Sequence, residues 1–98
     1  MPEMTFEVCW PDGSVQHCYS PSLVIHDYLS AGSSYSVAEF LQRSGTALAE
    51  ASERVRAKFG FACTSAAATA EQIAHAATRF APTATVHVAA MRPPLEKP

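Results

Sequence analysis

Three cysteines, four histidines and one short basic run are the residues of this chain whose types could do chemistry. Cys63 stands immediately before Thr64-Ser65, where the pattern starts a helix. A helix N-terminus offers unpaired N–H groups and the positive end of a dipole, both of which favour a thiolate or a bound anion. Arg54, Arg56 and Lys58 close the preceding helix only a few residues earlier. Cys63, Thr64, Ser65, Arg54 and Arg56 therefore form the candidate ligand-binding corner, suited to an anion or to a reactive thiol. The plainer reading is that Cys63 fills core beneath a helix turn while Thr64 or Ser65 merely caps it, since cysteine is among the most often buried residues.

A metal site needs ligands that converge. His17, His26, His75 and His87 lie in four different elements. His17 and His87 could meet across paired strands, with Cys9 or Cys18 nearby. No established ligand spacing accompanies them, and surface or half-buried histidines explain the pattern as well. Asp12 sits in a turn that accounts for it fully. Asp27 and Tyr28 end an apolar stretch with less structural reason to be there. The chain has no phosphate loop, nucleophile elbow, dinucleotide fingerprint or zinc-protease helix. No catalytic residue, metal or cofactor is assigned, and binding is favoured over catalysis.

The composition narrows the classes further. The chain has 98 residues, 48% hydrophobic and 16% charged, with a net charge of −2. Without a basic face it has no footprint for nucleic acid. No run approaches the ~18 apolar residues of a membrane span. The start, Met1-Pro2-Glu3-Met4, lacks the basic and apolar regions of a signal peptide. The expected location is the cytoplasm, with Cys9, Cys18 and Cys63 as free thiols. An apolar surplus in so short a chain points to a homodimer or larger homo-oligomer.

The elements that must position these residues follow from periodicity. Met4, Phe6, Val8 and Trp10 alternate with polar or small neighbours, as do Val15, His17 and Tyr19. The intervening Pro11-Asp12-Gly13 supplies a turn, so the two runs form a hairpin. A four-residue loop, Pro11 to Ser14, would put Phe6, Val8, Trp10, Val15 and Tyr19 on the core side. A three-residue loop with a bulge would shift the register. Ser20-Pro21-Ser22 opens a short helix through about Tyr28, with a strand extension as the alternative. Ala31 to Ser34 reads as a loop.

Ser36 and Glu39 form a capping box, flanked by Tyr35 and Phe40 as a staple. Val37, Phe40, Leu41, Ser44, Ala47, Leu48, Ala51, Val55 and Phe59 then mark one face of a long helix ending at Gly60. Gly45 inside it suggests close packing against a neighbour. Ala66, Ala70, Ile73, Ala77 and Phe80 mark a second helix, stopped by Pro82. Ala84 to Met91 alternates as a last strand. The fold class is α+β: a three-stranded antiparallel sheet, made of the hairpin plus the C-terminal strand, packed against an α-hairpin. Residues 1–91 form the single domain, and 92–98 a flexible proline-rich tail.

Four stretches carry a resemblance beyond these patterns: Trp10-Pro11-Asp12-Gly13, Cys18-Tyr19-Ser20-Pro21-Ser22, Asp27-Tyr28, and the run from Ala51 through Arg54, Arg56 and Gly60 to Cys63. Together they resemble a family of small bacterial nitrogen starvation response proteins, over Met1 to about Ala66. Members are encoded beside a nitrilase, a radical-SAM protein, an acetyltransferase, an AIR-synthase-related protein and a flavoprotein, in clusters linked to nitrile or cyanide assimilation. The resemblance implies an accessory role in that pathway, with the nitrilase-cluster enzymes as partners. It assigns no catalytic residue.

Overall fold

A computed structural model describes residues 3–60 and 64–92. Its elements run β1 (Met4–Cys9), β2 (Val15–Ser20), a 3-10 helix (Leu23–Asp27), β3 (Ser34–Ser36), α1 (Val37–Phe59), α2 (Thr64–Ala77) and β4 (Thr85–Arg92). The strands form one antiparallel sheet in the order β2-β1-β4-β3. The α+β class holds, but the described sheet has four strands where three were expected.

Trp10, Asp12, Gly13 and Ser14 carry the hydrogen bonds of the hairpin loop. The Gly13 N–H donates to the Trp10 carbonyl at 2.9 Å, and the Trp10 N–H to the Ser14 carbonyl at 2.8 Å. Asp12 Oδ1 accepts from the Ser14 N–H at 3.0 Å and from its hydroxyl at 2.6 Å. Gly13 takes φ of +89°, a conformation that only glycine adopts freely. This is the three-residue loop with a bulge, not the four-residue loop. It pairs Phe6 with Cys18 and Val8 with Gln16. A one-residue shift exchanges the faces of β2. Cys18 and Ser20 are buried, while Val15 and His17 are exposed and Tyr19 is half-buried. The expectation that Val15 and Tyr19 face the core is thereby corrected; Phe6, Val8 and Trp10 do face it.

The last strand runs along the other side of β1. Its register passes from Val8 opposite Val88 to Glu7 opposite Ala90, leaving Ala89 as an extra residue. That bulge reverses the alternation, so Val86, Val88 and Met91 all face inward. Arg92, expected to begin the tail, ends this strand. Residues 93–98 lie outside the described residues. The unexpected β3 pairs with the free side of β4, Tyr35 opposite Val86. Its sequence, Ser-Tyr-Ser, has no apolar alternation to announce a strand.

Helix α1 starts as its sequence dictates. Ser36 Oγ accepts from the Glu39 N–H at 3.1 Å. The Glu39 carboxylate turns forward to Arg43, at 2.7 Å, so the second half of the expected capping box is an ion pair one turn on. Val37, Phe40, Ser44, Ala47, Leu48, Ala51 and Val55 are buried, and Gly60 closes the helix with φ of +79°. Phe59, expected on that face, is 51% exposed. Gly45 marks no close approach: a Cβ there would meet nothing within 4 Å.

On α2 the buried residues are Ala66, Thr69, Ile73 and Ala77. The Thr69 hydroxyl donates to the Tyr19 carbonyl at 2.8 Å, tying α2 to the outer edge of β2. The helix stops at Ala77, before Pro82, and Phe80 follows in the turn. Phe80 stacks on Trp10 at 5.6 Å, and Phe40 meets the same indole edge-on at 5.7 Å. The indole N–H donates to Gln16 Oε1 at 2.8 Å, so its polar end is satisfied. Among the described residues only Val15 and Phe59 are exposed large apolar side chains. Most of the large apolar side chains of the described residues are buried within one copy.

Candidate functional site

The corner proposed at Cys63 falls partly on residues 61–63, outside the described residues. Thr64 and Ser65 open α2 as expected, the first exposed and the second half-buried. The two arginines serve different neighbours. Arg56 lies 3.9 Å from Glu53, with both side chains 68% exposed. Arg54 acts electrostatically on Tyr28. Residues two apart on a helix point about 200° apart, so the two side chains leave α1 in different directions.

The histidine idea is also rearranged. His17 on β2 and His87 on β4 are separated by β1. His17 Nδ1 lies 3.2 Å from Glu7, and His87 Nδ1 lies 3.0 Å from Ser34 Oγ. Cys9 sits opposite His87 across the ladder. Among the described residues, no three His, Cys, Asp or Glu side chains could together hold a metal ion. Cys18 is buried, and desolvation pushes its thiol up to about 12.

The structure does gather polar groups at one place that the sequence only hinted at. The 3-10 helix is capped by Ser22, whose Oγ accepts from the Val24 N–H at 3.3 Å. It buries Val24 and Ile25. That anchoring carries Tyr28 onto the flank of α1. A groove of about 610 Å³ opens there, lined by Tyr28, Ser36, Glu39, Gln42, Arg43 and Thr46, with Ala38. Arg43 is its most constrained member. Its Nε bonds Glu39 at 2.7 Å, its Nη1 donates to the Tyr28 carbonyl at 3.1 Å, and its guanidinium lies 5.4 Å from the Tyr35 ring centre. The Tyr35 hydroxyl in turn accepts from the Ser30 N–H at 3.0 Å. Desolvation, and then the Glu50 carboxylate that it hydrogen-bonds, hold the Tyr28 hydroxyl above its ordinary range.

Such an arrangement can do recognition. Hydroxyls from Tyr28 and Thr46, the Gln42 amide and a fixed guanidinium–carboxylate pair suit a small polar ligand or a polar loop of a partner protein. Asp27-Tyr28 was visible in the sequence. Glu39, Gln42, Arg43 and Thr46 were missed because they lie on the wet side of α1, where charged residues usually mean only solvation. Their spacing of three and four residues puts them on one strip, which was the available signal.

Residues 5–91 match the family model described as nitrogen starvation-induced protein NitG. No curated protein and no solved structure matches the chain.

Proposed function

The chain belongs to the family of nitrogen starvation-induced protein NitG, and from that membership we propose that it is an accessory protein of nitrogen assimilation that works by binding. Its partner in this reading is an enzyme of the nitrilase-containing gene cluster, or a small ligand of that pathway. The observation that carries the reading is the family match across residues 5–91. The groove beside Tyr28 supports it, because Arg43 is held from three sides and presents its strip without reorganisation. The test is calorimetric titration of the purified protein against the purified nitrilase and flavoprotein of the cluster. Binding to one of them that weakens about tenfold or more in Gln42→Ala or Thr46→Ala supports the proposal. Absence of binding to each cluster enzyme overturns the enzyme as partner and leaves the small ligand, and binding that both variants leave unchanged removes the groove from the proposal.

A further inference from the structure

The outer edge of β2 carries a second inference, independent of the groove. The bond from the Trp10 N–H to the Ser14 carbonyl sets the parity of the hairpin ladder. Ser14, Gln16, Cys18 and Ser20 turn their backbone groups toward β1, and Val15, His17 and Tyr19 turn theirs outward. Among the described residues β2 has no neighbouring strand on that side. The Tyr19 carbonyl is already taken by the Thr69 hydroxyl. What remains is a short open stretch, Val15 to His17, that presents two donors and two acceptors. Among the described residues nothing pairs with them.

We propose that this stretch pairs with the same stretch of a second copy, antiparallel, about a twofold axis through Gln16. Parity allows three axes near here, through residues 15, 16 or 17. An axis through His17 would set Val15 against Tyr19, whose carbonyl is occupied, and would bring the two imidazoles face to face. An axis through Val15 leaves one residue pair in the ladder before the Gly13 turn. The axis through Gln16 sets Val15 against His17 twice and completes four backbone hydrogen bonds, with no donor or acceptor left over. It also covers Val15, one of the two large apolar side chains left exposed among the described residues, at 54%. Each His17 keeps its own Glu7, 3.2 Å away, so no like charges are opposed. The result is a continuous eight-stranded sheet.

The contact is small. Two residues a side cover far less than the roughly 800 Å² per partner of a standard interface. The dimer is accordingly weak and concentration-dependent, with a dissociation constant on the order of 100 µM.

Two variants test it. Val15→Pro removes an outward N–H without touching the β1–β2 ladder, as edge positions tolerate. Val15→Lys places a charge in the seam and needs no change of backbone, so it decides the question if the proline variant misfolds. Sedimentation equilibrium from about 10 µM to 1 mM should show dimer for the natural chain and monomer for these variants at every concentration. Gln16→Cys should form an intermolecular disulfide through residue 16, identified by peptide mapping, because a non-hydrogen-bonded pair on the axis brings the Cα atoms to about 4.5 Å. A mass of 10.5 kDa throughout that range, or a dimer that survives Val15→Lys, overturns the proposal.

Discussion

The two faces of the sheet share the same three long strands and have opposite fates. The inner face presents Met4, Phe6, Val8, Cys18, Val86, Val88 and Met91, all buried under the helices. The outer face presents Thr5, Glu7, Cys9, His17 and His87, exposed or half-buried, and holds them by cross-strand pairs such as Glu7–His17. A pleated strand must send alternate side chains to opposite sides, so one register decision sorts every residue at once. Stability should therefore reside on one face and chemical accessibility on the other.

The two cysteines offer the sharpest way to break that division, because they lie on neighbouring strands. Cys18 should resist alkylation in the native protein and react only on unfolding, while Cys9 reacts in the folded state. The expected rate ratio at neutral pH is on the order of a thousandfold or more, set by the opening free energy. Site-resolved mass spectrometry reads it, and equal rates would dissolve the distinction. The same burial has a pH consequence. The folded Cys18 thiol titrates above its ordinary value of 9.0, at about 12. The unfolded chain therefore loses this proton first, and stability should fall as pH rises from about 9 toward 12. Cys18→Ala should flatten that alkaline decline, as measured by denaturant unfolding.

Truncation should show the next largest contrast. Trp10→Ala removes a side chain that is 3% exposed and packed between two rings, and should cost about 3–5 kcal/mol. Val15→Ala, on the outer side of the adjacent strand, should change stability by less than about 0.5 kcal/mol. Similar losses at both sites would refute the observed register.

A smaller effect tests the seam between the layers. Thr69→Val keeps the volume and removes the hydroxyl that satisfies the Tyr19 carbonyl, which should cost about 1–3 kcal/mol. The mildest test lies on the helical layer. Gly45→Ala should raise stability by about 0.5–1 kcal/mol, since the site is helical and open. Destabilisation there would mean that Gly45 packs closely against a neighbour after all.

Much of the candidate groove was legible only in part. Asp27-Tyr28 stood out as polar residues ending an apolar run, and the Ser36 cap located the start of α1. Nothing in the local pattern said that Tyr28 would sit against Glu50 and Arg43, because those contacts join segments more than a dozen residues apart. His17 and His87 show the converse failure. Both lie on strands as expected, yet only the strand order reveals that β1 separates them.

The sequence by itself determined the elements whose causes are local. Asp12 and Gly13 make the turn, Ser36 and Gly60 bound α1, and the apolar period marks its buried stripe, since each effect acts within a few residues along the chain. It left two loop lengths open at Pro11 to Ser14, and with them two faces for β2. Only the tertiary structure chose between these, by burying Cys18 and Ser20 under α2 and tying Thr69 to the edge. It alone also decided β3 and the Ala89 bulge. Both exist because β4, arriving from the far end of the chain, offers hydrogen-bonding edges on its two sides, and no local pattern records where a distant strand will lie.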